Sequence, residues 1–414
     1  MSRIAVIGAG IAGLSAAYFL SRKHEVWVFE RENRLGGHTH TVTVDSSKGP
    51  LAIDTGFIVH NERTYPLFCR LMRELGVETQ PSDMSFAVGS EGGAFEYSSR
   101  GARGFFSQRS NLLRPEHYGL LAEILRFNRE APRLLERPDA GEFTLEEFLE
   151  RERYSPHFVE RYLFPMASAV WSMPQSELGG FPAATLVRFF QNHGMLGINT
   201  HPQWRTIRGG SQSYLSPLTA PFRTRIFQGA KLASVARCQE GVKVQLEGAS
   251  AMTFDEAVFA CHGDQVLPLL KTAHPAEREV LSRFTTTANE VCLHTDSSLL
   301  PKRPGARASW NYRIGDQGRV TMTYHMNRLQ SLPAEEDYCV TLNANGSVAP
   351  GRALRRMVYR HPLFNRDAVR AQARWDEISG RDRIHYCGAY WFYGFHEDGV
   401  RSALRVADNL GASW

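Results

Sequence analysis

The stretch Arg3-Ile4-Ala5-Val6-Ile7-Gly8-Ala9-Gly10-Ile11-Ala12-Gly13 decides the reading of this chain, because it runs from a buried strand through three spaced glycines into a helix. The unbroken apolar run Ile4 to Ile7 suits a strand covered on both faces, as in a parallel sheet. Gly8 permits a tight turn, Gly10 lets a pyrophosphate approach the backbone with no Cβ in the way, and Gly13 lets the helix pack closely on the strand. Ile11 and Ala12 open that helix, whose free N–H groups and partial positive charge attract phosphate. The helix is predicted over Gly13 to Arg22 and a second strand over Glu25 to Glu30. Together they form a βαβ unit of about thirty residues. Glu30 ends the second strand where a carboxylate accepts ribose hydroxyls and disfavours a 2′-phosphate, and Arg31 follows it. A dinucleotide site accounts for this combination better than a glycine-rich core turn does.

Working outward, Gly36, Gly37, His38 and Thr39 supply a second glycine pair placed to touch the same pyrophosphate. A hairpin is predicted from Thr39 to Val44 and Leu51 to Ile53, followed by Asp54, Thr55, Gly56 and Phe57 and by a helix over Thr64 to Leu75. From Val77 to Trp204 the alternation of strand and helix lapses into a segment rich in aromatic residues, arginine and proline, read as an inserted substrate domain. Strands are expected at Arg225 to Phe227, Ala230 to Arg237, Gly241 to Leu246 and Glu256 to Cys261, with a helical stretch at Gln265 to Leu270. A further sheet is expected from Glu290 to His294, Ala308 to Arg313, Arg319 to His325 and Tyr338 to Asn343. The chain closes with strand Ile384 to Cys387 and helix Gly399 to Leu410. The fold class is therefore α/β: a Rossmann-type nucleotide domain (1–76, 205–285 and 375–414) carrying a mixed α+β substrate domain (77–204 and 286–374).

At 414 residues the chain has length for two cores. No apolar run approaches the roughly 20 residues that span a bilayer, and Met1-Ser2-Arg3 leads straight into a strand rather than a secretory signal. A cytoplasmic protein is expected. The six cysteines lack a CxxC pair or histidines in ligand spacing and read as reduced thiols, mostly in the core. His38 and His40 alternate along an extended segment with no carboxylate or cysteine cluster beside them, so no metal is expected. A net charge of +5 without a lysine or arginine run gives no sign of nucleic-acid binding. Between Arg100 and Arg137, however, Phe105, Phe106, Leu112, Leu113 and Leu120 interleave with Arg103, Arg109, Arg114 and Arg126. That mixture reads either as an amphipathic helix with a solvated arginine face or as a contact with an anionic membrane at its inner face.

The glycine loop, the Gly36–Gly37 turn, and Tyr386-Cys387-Gly388 leading to Gly399 resemble the flavin amine oxidase and phytoene desaturase superfamily. The resemblance implies FAD rather than a nicotinamide. The implied contacts are Gly8, Gly10, Ile11, Ala12, Gly13, Glu30 and Arg31 at one end. Gly36, Gly37, His38, Thr39, Thr55, Gly56, Phe57 and Leu232 continue the site, and Gly388, Phe395, Gly399 and Val400 close it. Two departures stand out. Ala389 and Tyr390 occupy the place where the superfamily usually has an acid for the ribityl chain, and the lysine that many amine oxidases set over the flavin has no counterpart in Glu290 to Thr295.

Further motifs narrow the resemblance. They include Asn61 with Thr64-Tyr65-Pro66, Ser82-Asp83-Met84-Ser85-Phe86, Gly209-Gly210-Ser211, Ser309-Trp310-Asn311-Tyr312, Met326 to Gln330, and Gly394 to Gly399. They resemble the NAD/FAD-binding proteins found beside cyclopropane fatty-acid synthase-like methyltransferases in bacteria, and the FAD domain that precedes the plant cyclopropane synthases. This implies an oxidoreductase acting on a lipid or fatty-acyl chain, with such a methyltransferase as a partner. The alternatives are a flavin amine oxidase and a non-catalytic flavoprotein partner of the methyltransferase. The aromatics from Tyr390 to Phe395 are expected either to wall an acyl chain beside the flavin or to fill core. His396 is the candidate proton acceptor, and the competing reading of this stretch is that Glu397 and Asp398 cap the last helix. Tyr324 with His325 forms a second candidate pair, the alternative being a structural histidine satisfied by its own neighbours.

Overall fold

The computed structural model describes residues 1–197, 200–315 and 320–414. Strands Arg3–Ile7 and Glu25–Phe29 flank helix Ile11–Leu20 as the glycine spacing requires. They sit in a five-stranded, wholly parallel sheet ordered Ile226–Phe227, Glu25–Phe29, Arg3–Ile7, Glu256–Phe259, Ile384–Tyr386. Val6, Val28, Val258 and Ile384 are fully buried, as a sheet covered on both faces demands. A Cβ at Gly13 would lie 1.9 Å from the Gly8 carbonyl oxygen, so close packing of helix on strand admits glycine alone there. The last helix, His396–Asn409, lies against the first: a Cβ at Gly399 would meet Ile11 Cγ2 at 2.7 Å. The two ends of the chain meet through His24, which accepts from Ser2 N–H at 3.3 Å and bonds the Leu410 carbonyl at 3.0 Å.

A second, seven-stranded sheet runs Ala353–Leu363, Thr285–His294, Cys339–Leu342, Val320–His325, Trp310–Ile314, Phe86–Ser90, Glu96–Ser98. It is antiparallel except where Trp310–Ile314 pairs in parallel with Phe86–Ser90. Helices Pro115–Glu130, Leu145–Arg151, Phe164–Trp171 and Ala183–Asn192 come from the segment whose alternation had lapsed. Phe127, Leu163 and Phe190 share a core with Val88, Leu293 and Val340 of the sheet. Leu51 and Ile53 of the hairpin also pack into this second core, whereas Val6, Phe29 and Val406 belong to the first.

The strand Ala353–Leu363 corrects the sequence reading, which placed no element there. Arg355, Arg356 and Arg360 hide its alternation, and they are tolerated because the strand lies at the sheet edge, where one flank and much of one face meet water. Strand Thr285–His294 begins five residues earlier than expected for the same reason: it pairs with this missed partner from Thr285↔Leu363 onward. The expected start at Arg319 lies outside the described residues. The last helix begins at His396 instead of Gly399, which moves the candidate acid–base residues from a loop into its first turn. Cys69, Cys292, Cys339 and Cys387 are buried, as read.

Candidate active site

The site is a crevice at the carboxyl edge of the parallel sheet, where the glycine loop, the Gly36–Gly37 turn and the head of the last helix converge. Gly8 holds a φ of +106°, and a Cβ there would sit 2.9 Å from the Ala260 carbonyl carbon. Gly10 differs. Its φ of −74° suits any residue, and no atom of the described residues lies within 4 Å of where its Cβ would be. The protein itself therefore gives no reason for glycine at this position. Open space in front of the first helix turn, whose N–H groups have no intrahelical partner, is the space a pyrophosphate fills.

The neighbouring groups fit that ligand. Glu30 accepts from Ala9 N–H and Glu32 N–H, each at 2.8 Å, and a carboxylate with two acceptor positions used retains others for ribose hydroxyls. Ala230 N–H donates to the Glu30 carbonyl at 2.8 Å, which holds the start of the strand Leu232–Cys238 close to Glu30. Arg31 stays at the rim, paired with Glu32 at 3.4 Å. Gly36 N–H donates to the Ala9 carbonyl at 2.8 Å, and a Cβ on Gly37 would come within 3.1 Å of Gly10 Cα, so the second glycine pair backs the first. His38 Nε2 is buried and has no hydrogen-bond partner among the described residues. Such an orphan at the mouth of the cradle suits a cofactor contact.

Two segments far apart in sequence close around His38. Its ring lies 5.0 Å from His361, 5.4 Å from Tyr359 and 5.9 Å from His262, centre to centre. Burial, followed by the neighbouring imidazoles, holds His38 well below the ordinary histidine range, and burial brings His361 down to about 4. Both are neutral near pH 7. The Tyr359 hydroxyl bonds His40 Nδ1 and Thr55 Oγ1, each at 2.7 Å, and Asn289 Nδ2 meets His361 Nδ1 at 2.9 Å. Tyr359, His361, His262 and Asn289 were missed as site residues. The only signal for the first two was the period of two concealed by arginines in Ala353–Leu363.

The candidate acid–base groups are arranged otherwise than the sequence reading expected. His396 is buried, stacked on Phe57 at 3.6 Å, and its Nε2 faces Thr39 Oγ1 at 3.1 Å, with Tyr214 bonding the same hydroxyl. Burial pulls it down to about 3, a neutral imidazole that is a poor proton acceptor near pH 7. It ties the loop after Gly37 to the last helix. Asp398 accepts from Phe395 N–H at 3.0 Å and caps its own helix, as one alternative held, and burial raises it to about 7. Glu397 instead caps a different helix, Pro66–Glu74, accepting from Leu67 and Phe68 N–H at 3.2 and 2.9 Å. Tyr324 and His325 do not form a pair. As neighbours on one strand they face opposite ways; Tyr324 packs edge-on to Trp310, and His325 bonds Asp337 at 2.9 Å.

Several motifs of the resemblance are joints between segments. Buried Asp54 accepts from Ser211 N–H and Oγ at 2.8 Å and from Thr41 Oγ1 at 2.6 Å, and exchanges bonds with Gln330. Asp83 holds Ser85 N–H and Ser309 Oγ at 2.7 and 2.9 Å. Gly56 fits because a Cβ there would strike the His38 carbonyl oxygen at 2.2 Å. The closing loop divides in two: Tyr390 and Trp391 pack on Phe284 in the first core, whereas Phe395 stacks on Phe189 at 5.0 Å and Trp171 Nε1–H donates to the Tyr393 carbonyl at 3.2 Å. Val400 is fully buried on the last helix.

The model of the flavin containing amine oxidoreductase family matches residues 11–411. The chain belongs to that family. It is an FAD-dependent oxidoreductase, with the two-domain amine oxidase fold. Over 73 residues it is 45% identical to a protein of Arabidopsis thaliana named as a flavin-containing monooxygenase, GS-OX-like 11; the match spans 17% of this chain and 43% of that one. Among solved structures, putrescine oxidase bound to putrescine superposes with a TM-score of 0.73 at 14% identity, covering 99% of both chains. Cyclohexylamine oxidase from Brevibacterium oxydans gives 0.70 at 14%, again over 99% of both. A fatty acid isomerase from P. acnes that produces CLA gives 0.68 at 17%, over 99% of this chain and 98% of that one. At these identities the likeness is one of fold.

Proposed function

We propose that this flavoprotein oxidises or desaturates the acyl chain of a lipid. The observation that carries the proposal is the uncharged aromatic wall beside the head of the last helix, where Tyr393 and Phe395 meet Trp171 and Phe189. Both carboxylates of that helix turn are committed to backbone N–H groups. His396 stays neutral, and His193, stacked on Phe189 at 3.8 Å, is brought to about 4 by burial. A wall of this kind excludes water and receives methylene groups, and it offers no anion to an ammonium group.

Bound FAD supplies a two-electron, hydride-accepting centre. The chain's own residues do the rest. Glu30 orients the ribose, the helix behind Gly10 offsets phosphate charge, and the aromatic side chains exclude solvent from the reacting carbon. The same fold houses a fatty acid isomerase, which agrees with an acyl substrate, and the resemblance to proteins encoded beside cyclopropane synthase-like methyltransferases supports a role in fatty-acid modification with such an enzyme as partner. Family membership supports a second reading, an amine oxidase, in which the same rings hold an alkylammonium through cation–π contacts.

The test is anaerobic mixing of the yellow protein with defined phospholipids and free fatty acids in detergent, and separately with a polyamine panel. Bleaching of the flavin by lipid, with product two mass units lighter, is the expected result. Bleaching by amines alone transfers the assignment to the second reading.

A further inference from the structure

From Gln108 to Tyr118, the turn that leads into the helix Pro115–Glu130, the usual polarity of a protein surface is inverted, although further along the helix Leu120 and Phe127 are buried in the ordinary way. Gln108, Asn111 and His117 point inward and are buried, while Leu113 is 86% exposed, Leu112 50%, Tyr118 47% and Leu125 44%. The inversion is held in place by bonds. Gln108 accepts from Glu96 N–H and donates to the Ala94 carbonyl, both at 2.9 Å. Asn111 Nδ2 donates to the Glu96 carbonyl at 3.3 Å, and the Tyr118 hydroxyl donates to the Leu112 carbonyl at 3.0 Å. His117 stacks on Phe105 at 4.1 Å and bonds its carbonyl at 2.8 Å, so the tip is anchored to the sheet. Tyr118 and Leu125 stand on the outward face of the helix two turns apart, with exposed Ala122 between them.

Charge surrounds this apolar tip. Arg100, Arg103, Arg109 and Arg114 are all exposed, and among the described residues none has a carboxylate partner; Arg114 spends its bonds on the Ala94 carbonyl and Asn111. From Arg100 to Ala122 the sequence holds those four arginines against a single acid, Glu116. Elsewhere many arginines are paired, as in Arg374 with Glu279 and Glu377 or Arg237 with Glu277. Projecting leucines ringed by exposed guanidinium groups that lack carboxylate partners among the described residues fit a lipid interface, in which aliphatic side chains enter the acyl boundary while arginines meet anionic headgroups.

We infer that the Leu112–Leu113 tip and the outward face of Pro115–Glu130 dock the protein onto an anionic lipid bilayer. This deepens the acyl-chain reading and rests on it for its purpose, since docking would bring the enzyme to its substrate; the surface chemistry stands by itself. The test is sedimentation of the full-length, FAD-loaded protein with phosphatidylglycerol-containing vesicles and with pure phosphatidylcholine vesicles. Binding to the anionic vesicles, weakened by salt, is expected. The pair Leu112→Ser/Leu113→Ser should lower partitioning at least roughly tenfold, and Arg103→Gln/Arg109→Gln should cost about fivefold for each arginine. Unchanged flavin absorbance in these variants confirms that the fold persists. Equal partitioning of native and variant proteins, or no binding to anionic vesicles, overturns the proposal, even if the same patch captures a purified methyltransferase. Sedimentation does not depend on turnover, and flavin bleaching by lipid in detergent does not depend on the patch. The two readings therefore fail separately.

Discussion

The floor and the roof of the site are built by different rules. The floor, Gly8 to Gly13 with Gly36 and Gly37, is set by backbone conformation and by distances of a few ångströms between main chains. The roof draws Trp171, Phe189, Tyr359, His361, Tyr393 and Phe395 from helices, an edge strand and a loop that meet only in the folded chain. Steric rules of the first kind act over short stretches and leave glycines at fixed intervals, so they are legible along the sequence. Packing of the second kind depends on which segments become neighbours, and any apolar residue of suitable size satisfies it locally.

Substitutions that remove a single side-chain function can break or sharpen this contrast, beginning with the strongest effect among them. Glu30→Ala removes a single floor carboxylate and should weaken FAD binding about 100-fold, near 2.7 kcal/mol, as read from the fluorescence of released flavin. If affinity is unchanged, the floor does not hold the ribose. Glu397→Ala strips the acceptor from Leu67 and Phe68 N–H and should cost about 2 kcal/mol in urea unfolding. Unaltered stability would deny Glu397 its capping role.

The pH dependence of stability distinguishes a buried neutral His396 from a proton acceptor. The unfolded chain protonates this residue below its ordinary value of 6.5, whereas the folded chain does so only near 3. Its contribution is thus complete above 6.5 and lost as pH falls. Replacing it, His396→Phe, should reduce the stability difference between about pH 7 and about pH 5 by roughly 2 kcal/mol. Asp398 works in the opposite sense: raised to about 7, it loses stability as pH climbs toward that value, and Asp398→Asn should remove that loss. A His396→Phe protein with the original pH slope would return the imidazole to the list of titrating groups. The smallest effect is expected in the roof, where Trp171→Phe keeps the ring packing, loses the bond to the Tyr393 carbonyl and should cost roughly 1 kcal/mol.

Much of the parallel sheet could be read from Ile4–Ile7, Glu25–Phe29 and the glycines, because buried parallel strands are nearly continuous apolar runs. The edge strand Ala353–Leu363 could not, since Arg355 interrupts the face that Tyr359 and His361 share, while Leu354 and Val358 stand beside Arg356 and Arg360 on the wet face. His396 misled for a related reason. A histidine near a flavin motif suggests proton transfer, but only the three-residue earlier start of the last helix reveals that its ring is stacked on Phe57 and out of water. Tyr324 and His325 are neighbours in sequence, and the alternation of a strand separates them.

The central claim, that Gly10 is glycine for the sake of FAD and Gly13 for the sake of the fold, is tested most directly by comparing Gly10→Ala with Gly13→Ala in thermal unfolding and in bound flavin. A Gly13 Cβ has the Gly8 carbonyl at 1.9 Å, so Gly13→Ala should lose roughly 3 kcal/mol or more of apoprotein stability. Gly10→Ala should melt within about 0.5 kcal/mol of the native apoprotein and yet purify without its yellow colour. A Gly10→Ala protein that retains FAD at native affinity, or that unfolds as Gly13→Ala does, would contradict the account.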